Sequence, residues 1–232
     1  MLIKGRGRFT ISMDTGVLSI LLHNLPYHFS GIGVLSTIMF VLNLVLWSLF
    51  SILFITRCVI FPKETRRHIF DDAEEIALLA APTIGFQTLV AQVVLTCSES
   101  WGYRFMMLGY VLWWIGLVWI FADLVTLYIH LVVKPAANVI DDVLPTAVFV
   151  PIVGTMTEAV VGGLLVNKGR GITPTLAVPV IIVSFMLVGL AFLMAIVVYA
   201  LYAHRLMRSG WPPPEKIPGM VLTVSTSQEK MV

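Results

Sequence analysis

Three carboxylic acids lie inside or close to long apolar runs of the sequence: Asp14, Asp123 and Glu158. A charged side chain in the hydrocarbon core of a bilayer is costly, so an acid at such a position is a candidate for taking up or passing on protons. Glu158 is the strongest candidate, because the hydroxyl side chains of Thr155 and Thr157 lie next to it in the run that Pro and Gly interrupt most often. The alternative interpretation is an acid that only fixes the packing of helices.

Hydroxyl and amide side chains recur at helical spacing in the same apolar runs. Thr83 and Gln87 are four residues apart, as are Thr88 and Gln92, so each pair shares a helix face. Pro and Gly also free backbone groups that neighbours or a water-filled cavity must satisfy. These features concentrate in the odd-numbered runs, which predicts odd helices that line a pathway and even helices that shield it from lipid. The alternative is that Ser, Thr and Gly serve helix packing alone.

The segments that must position these residues are typical of a polytopic helical membrane protein. Of the 232 residues, 58% are hydrophobic and 12% are charged, whereas a soluble domain carries about 25% charged residues. This composition excludes a soluble enzyme, a disordered chain and a nucleic-acid binder. A membrane-spanning helix needs about 20 apolar residues. The sequence predicts a membrane domain over residues 9–204, with helices at about 9–25, 33–56, 76–97, 105–133, 143–166 and 176–204.

The positions of Lys and Arg predict the orientation of this membrane domain. Twelve of the 15 basic residues fall in the N-terminal segment, in the connections after helices 2 and 4, or in the tail. Because basic segments stay on the cytoplasmic side, residues 1–8 and the tail 205–232 are both predicted to be cytoplasmic. Cys58 and Cys97 then lie at opposite membrane faces, too far apart to form a disulfide.

Several segments of the chain resemble the tellurite-resistance/dicarboxylate transporter family. The segment Arg8–Tyr27 is similar to the first helix of that family, and its part Ser19–Tyr27 is most similar to the fungal sulfite efflux pumps. The resemblance covers about residues 8–218, and relatives include malate permeases and the slow anion channels of plants. Further similar segments are Val111–Ile115, Pro151–Val153 with Gly162 and Gly163, and Pro212–Glu215.

The resemblance implies an all-α integral membrane protein built on a ten-helix, anion-channel-like fold of five hairpins, of which this chain holds about six helices as three hairpins. Odd helices form a central anion pore in that fold, and the proteins often assemble as homotrimers. The implied function is a plasma-membrane transporter of small anions rather than an enzyme, with sulfite or bisulfite efflux as the first interpretation. The alternatives are transport of malate or another C4-dicarboxylate, or a truncated and inactive member of the family. We expect an anion substrate and lipid as partners, with no nucleic acid, metal or cofactor.

The predicted pathway residues combine the polar and helix-breaking positions of the odd helices. The family usually has Gly at the position of Asp14 and a small neutral residue at that of Glu158, so either acid is a candidate for coupling anion flux to protons. The predicted set comprises Thr10, Asp14, Thr15, Gly16, Pro82, Gln87, Pro151, Thr155 and Glu158.

Two hypotheses of other classes stay open at this point. His130 and His204 could serve as axial ligands of a haem in a membrane oxidoreductase, although paired axial histidines usually lie deeper in the bilayer. A membrane scaffold without transport is the other hypothesis, and the kinked, polar odd helices argue against it because a scaffold needs no pathway.

Overall fold

The chain folds into a bundle of α-helices. The computed structural model describes residues 9–25, 31–62, 76–98, 102–133, 146–169 and 171–209. Within these ranges the elements are helical and there is no strand, which confirms the predicted all-α fold class. The predicted N-terminal segment 1–8 and the tail after residue 209 lie outside the described residues.

Six helices follow one another along the described chain. In α3 the last turn changes to a π-helical pitch, and α5 begins after a turn of 3-10 helix at Thr146–Phe149. Compared with the predicted ranges, α2 extends past residue 56 and α6 past residue 204. The bounds are α1 Phe9–Asn24, α2 Ile32–Ile60, α3 Ala80–Gln92 continued by Val93–Cys97, α4 Tyr103–Val133, α5 Val150–Lys168 and α6 Pro174–Ser209.

Helices α2 to α6 are each long and apolar enough to cross a membrane. Helix α1 is shorter: its 16 residues give a length of about 24 Å at 1.5 Å per residue, against a hydrocarbon core of about 30 Å. It nevertheless packs along α2 and α3. The described chain is therefore an all-α membrane protein with five such helices and a shorter sixth.

Glycines in the left-handed backbone region mark the turns that lead into α2, α4 and α6. The φ angles are 110° at Gly31, 78° at Gly102 and 79° at Gly171. A residue with a Cβ atom is strained at such angles, and glycine is not. Each turn joins two helices that pack on one another, so the six helices form three hairpins in chain order, α1–α2, α3–α4 and α5–α6.

Helices α3 and α5 form the interior of the bundle. In their most apolar stretches 83% and 72% of the residues are buried, against 11% in α2 and 28% in both α4 and α6. Helix α3 contacts α1, α2, α4 and α5. Helices α1, α2, α4 and α6 thus pack around α3 and α5. The odd helix α1 has four buried residues among its 16, so the interior position of odd helices holds for α3 and α5 and not for α1.

Apolar clusters above and below a polar layer make up the core between α3, α4, α5 and α6. One cluster surrounds Trp113 towards the turn between α3 and α4, and another contains Ile84 and Ile120. A third surrounds Phe149 towards the opposite end of the bundle. Gln87 and Glu158 lie between the first two clusters along the helices, so their side chains are shielded from solvent on both sides.

Candidate functional site

Glu158 of α5 is buried in the middle of the bundle, with 1% of its surface exposed. Its carboxyl group lies against the main chain of α4 at Gly116. A Cβ atom added at Gly116 would lie 3.0 Å from both Oε1 and Oε2 of Glu158. The missing side chain at residue 116 therefore makes the space that the carboxyl group occupies.

The side chain of Gln87 on α3 approaches the same carboxyl group. Gln87 has no exposed surface, and neither its Nε2 nor its Oε1 atom has a hydrogen-bond partner among the described residues. The Oε1 atom of Glu158 is likewise buried without a partner there. Buried polar atoms are almost always hydrogen-bonded, so an amide and a carboxyl oxygen that both lack a partner among the described residues need a physical explanation.

Trp113 fixes the main chain of α5 at this level of the bundle. Its indole Nε1–H donates a hydrogen bond of 3.0 Å to the carbonyl oxygen of Glu158, and the whole side chain is buried. One turn further along α5, the Oγ atom of Ser184 from α6 packs against Gly162. Helices α4 and α6 therefore hold this segment of α5 in place by close contacts.

No basic side chain within the described residues lies opposite Glu158. The described cations lie at helix ends: Arg57 near the end of α2, Arg104 at the start of α4, Lys168 at the end of α5 and Arg208 at the end of α6. A carboxylate without a cationic partner is costly to bury. The site consequently has to compensate its charge in some other way.

Asp123 forms a second polar contact between α3 and α4. Thr83 donates a hydrogen bond of 2.5 Å from its Oγ1 atom to Oδ2 of Asp123. Thr83 is fully buried, whereas Asp123 is half-buried. This pair lies one turn from Gln87 along α3.

A hydrogen-bond network connects the other face of α3 to α1 and α2. Ser12 donates to Oδ1 of Asn43 at 2.6 Å, and Nδ2 of Asn43 donates to Oγ1 of Thr88 at 3.1 Å. Ser19 and Ser36 each donate to the other's carbonyl oxygen, at 2.8 and 3.0 Å. These hydroxyl groups join helices to one another, which is the packing role that the sequence left as an alternative.

The remaining predicted pathway residues lie in three kinds of surroundings. On α1, Asp14 is exposed and Thr10 is half-buried, while Thr15 donates to the carbonyl oxygens of Ile11 and Ser12 in its own helix. Gly16 packs against Thr88 and Asn43.

On α3 and α5 the predicted pathway residues are buried. The carbonyl oxygen of Pro82 accepts a hydrogen bond from Trp47 at 3.0 Å, and that of Pro151 accepts one from Thr155 at 2.8 Å.

Of the predicted set, the structure brings the side chains of Gln87 and Glu158 together. Asp14 faces outward on α1, and the other members contact neighbouring helices or their own backbone. Sequence reasoning missed the surroundings of the pair, Gly116 and Trp113, because it assigned α4 to the lipid-facing shell. It also missed Asn43, although a lone amide in the very apolar run of α2 is a signal that could have been noticed.

Comparison with known proteins places the chain in a family. The family model of voltage-dependent anion channels matches residues 6–227. The sulfite efflux pump SSU1 of Arthroderma benhamiae is 30% identical over 86% of this chain, and that of Arthroderma otae is 27% identical over 94%. The SSU1 pump of Candida albicans is 26% identical over 90% of the chain.

The chain spans about half the length of the curated relatives it matches. The aligned part covers 52% of the Arthroderma benhamiae pump and 57% of the Arthroderma otae pump. No solved structure matches the chain. The match to the family nevertheless runs over nearly all of its residues, including every described helix. This all-α membrane protein therefore belongs to the voltage-dependent anion channel family.

Proposed function

We propose that the chain serves the efflux of sulfite or bisulfite across a fungal plasma membrane. The observation that carries this proposal is its similarity to the SSU1 sulfite efflux pumps, which extends over 86% to 94% of its residues in the Arthroderma relatives. The family is one of channels and transporters, so transport rather than catalysis is the activity to test.

The described residues suit an anion that crosses the middle of the membrane without contacting a lysine or arginine side chain. The described basic side chains lie at helix ends, so the anion would be stabilised by hydroxyl groups and by the N-terminal ends of broken helices. We assign the predicted pathway to the faces of α1, α3 and α5 that carry the nine predicted pathway residues, from Thr10 to Glu158. Malate has the same requirements, which makes it the competing substrate.

Efflux from reconstituted vesicles tests the proposal directly. The 232-residue chain is placed in liposomes loaded with sulfite or, in parallel, with malate, and the release of each is followed after dilution. We expect sulfite release above that of protein-free liposomes and above malate release. Faster malate release would favour the dicarboxylate alternative. No release of either anion, under conditions in which a full SSU1 relative exports sulfite, would favour the inactive form.

We further propose that both termini are cytoplasmic and that the chain assembles as a homotrimer. The excess of basic residues at the termini and in the longer connections supports the orientation. Chemical cross-linking in native membranes tests the assembly, with a trimer band as the expected result.

A reduced-minus-oxidised spectrum that shows a haem band would instead revive the oxidoreductase hypothesis based on His130 and His204.

A further inference from the structure

We propose that Glu158 and Gln87 form a buried proton-binding site, whose proton is exchanged as the anion pathway operates. The exchange rests on the proposed transport function, whereas the binding site itself does not depend on it. Three observations carry it: the burial of both side chains, their unpaired polar atoms and the absence of an opposing cation among the described residues.

The chemistry of the two side chains suits a site that exists both with and without a proton. An ionised carboxylate only accepts hydrogen bonds, and Nε2 of Gln87 can then donate to Oε1 of Glu158. When Oε1 of Glu158 takes up a proton from a hydronium ion, one O–H bond forms on the carboxyl group, one O–H bond of the hydronium ion breaks to leave water, and the new hydroxyl group can donate to Oε1 of Gln87. The amide serves both states by a half-turn about its last torsion angle, which is broad in glutamine.

Every described group that faces Glu158 from the neighbouring helices is neutral. Gln87 faces it from α3, and Gly116 and Trp113 face it from α4. One turn away, Ser184 of α6 packs against Gly162. A buried charge at Glu158 is therefore uncompensated, and the binding of a positive ion removes that cost.

A proton fits these surroundings better than a metal ion does. A hard metal cation needs several oxygen ligands around it, but on the α4 side the carboxyl group meets the main chain of Gly116 at close range. A proton needs one acceptor on each side, and the two Oε1 atoms supply them. The same contact predicts that the site tolerates no side chain at residue 116.

The other carboxyl group of α4 is not part of this pair. Asp123 already accepts a hydrogen bond from Thr83, and Thr83 lies four residues from Gln87, about 6 Å along the helix axis. Asp123 is closer than Gly116 to the end of α4 that the basic residues predict to be cytoplasmic. Asp123→Asn is therefore a control variant, in which Glu158 and Gln87 are both unchanged.

Infrared spectroscopy of the full chain in lipid tests the site without requiring transport. We expect a C=O stretching band of a protonated carboxylic acid that appears and disappears as the pH is changed. The band is expected to remain in Asp14→Asn and Asp123→Asn and to be absent in Glu158→Gln, which preserves the shape of the side chain. In Gln87→Leu it is expected to shift, because the O–H group loses its acceptor. A titrating band unchanged in Glu158→Gln and Gln87→Leu would overturn the proposal.

Sulfite efflux at different pH values tests whether the rate of anion transport depends on the protonation of Glu158. A single titrating group changes a rate by at most about tenfold per pH unit, so we expect up to this dependence from the site in the unmodified chain and in Asp123→Asn. In Glu158→Gln we expect this contribution to be lost, so that only the titration of the substrate between bisulfite and sulfite remains. An unchanged profile in Glu158→Gln would refute the coupling, and so would efflux that requires sodium but not protons. If no variant moves sulfite at any pH, the proposed function fails, and the infrared titration still decides on the site.

Discussion

At the scale of single residues, the contacts of α5 depend on where a side chain is missing. Gly162 and Gly163 are neighbours in sequence but differ in their surroundings. A Cβ atom at Gly162 would collide with Ser184 and come within 3.0 Å of Trp113, whereas one at Gly163 would meet nothing within 4 Å. The pair therefore separates the effect of packing from the effect of replacing glycine in a helix.

We expect Gly162→Ala to lower the thermal unfolding temperature in detergent, because inserting a methyl group into a packed core costs about 1–3 kcal/mol. Gly163→Ala is expected to leave it unchanged or to raise it slightly, since alanine favours the helix by up to about 1 kcal/mol. Equal unfolding temperatures for the two variants would contradict the close packing of α5 against α4 and α6.

Asn43 offers a second residue-scale prediction. Its amide bridges Ser12 and Thr88, so Asn43→Leu leaves hydroxyl groups of α1 and α3 with fewer partners. A loss of about 0.6–1.7 kcal/mol per interhelical hydrogen bond is expected in a membrane protein. Thr37→Val on the same helix is the control, because exposed Thr37 only donates to the carbonyl oxygen of Gly33. Chemical unfolding in mixed micelles gives both values.

Some of these residues could be predicted from the sequence and others could not. Gln87 and Glu158 were identifiable because a polar side chain in an apolar run is rare in itself. Their contact was not, because it depends on the rotation of α5 relative to α3, which short-range spacing does not determine. Gly116 is uninformative in sequence, since a glycine in a membrane helix has many explanations, and its role appears when the carboxyl group that it accommodates is known.

At the scale of elements, Trp113 joins α4 to α5 through its hydrogen bond to the main chain of Glu158. We expect Trp113→Phe to destabilise the bundle, because it removes this bond and leaves a buried carbonyl oxygen with one partner fewer, at a cost of about 1–3 kcal/mol. The adjacent Trp114→Phe is the matched control, since Trp114 is only half-buried and its ring contacts can be kept by phenylalanine. Thermal unfolding of the two variants, followed by size-exclusion chromatography, is the measurement; a larger loss in Trp114→Phe would contradict this role.

Apolar length indicated an all-α membrane protein with long helices, because the bilayer sets a lower limit on a spanning segment. The π-helical turn Val93–Cys97 was not predicted. A change from α to π pitch depends on the tertiary contacts of the last turn of α3, and no residue type in that segment requires it. The ends of α2 and α6 were also missed, since helices continue past the apolar stretch into polar residues.

At the scale of the whole molecule, the two cysteines test the proposed orientation. Cys58 lies half-buried near the end of α2, and Cys97 lies buried at the end of α3. We expect a membrane-impermeant thiol reagent to label Cys58 in inside-out vesicles of the Cys97→Ser variant and not in right-side-out vesicles. Labelling of Cys58 from the outside would reverse the assignment. The Cys58→Ser variant controls for reaction at Cys97.

The fold class followed from composition, and the interior position of α3 and α5 followed from their polar content. The exposure of Asp14 on α1 did not follow from either. Asp14 is exposed on α1, and an acid at that depth is compatible with protein or water as its neighbour but costly against lipid.

The lengths of the connections between helices bear on how the chain enters the membrane during synthesis. The connections that contain Gly31, Gly102 and Gly171 are seven, five and five residues long, whereas those between α2 and α3 and between α4 and α5 are 19 and 16 residues long. Since the basic residues are concentrated in the longer connections and at the termini, a translocon would have to transfer only a short turn for each hairpin. In the proposed orientation, the three hairpins are thus suited to insertion one pair at a time, with the most strongly charged segments remaining on the side of the ribosome.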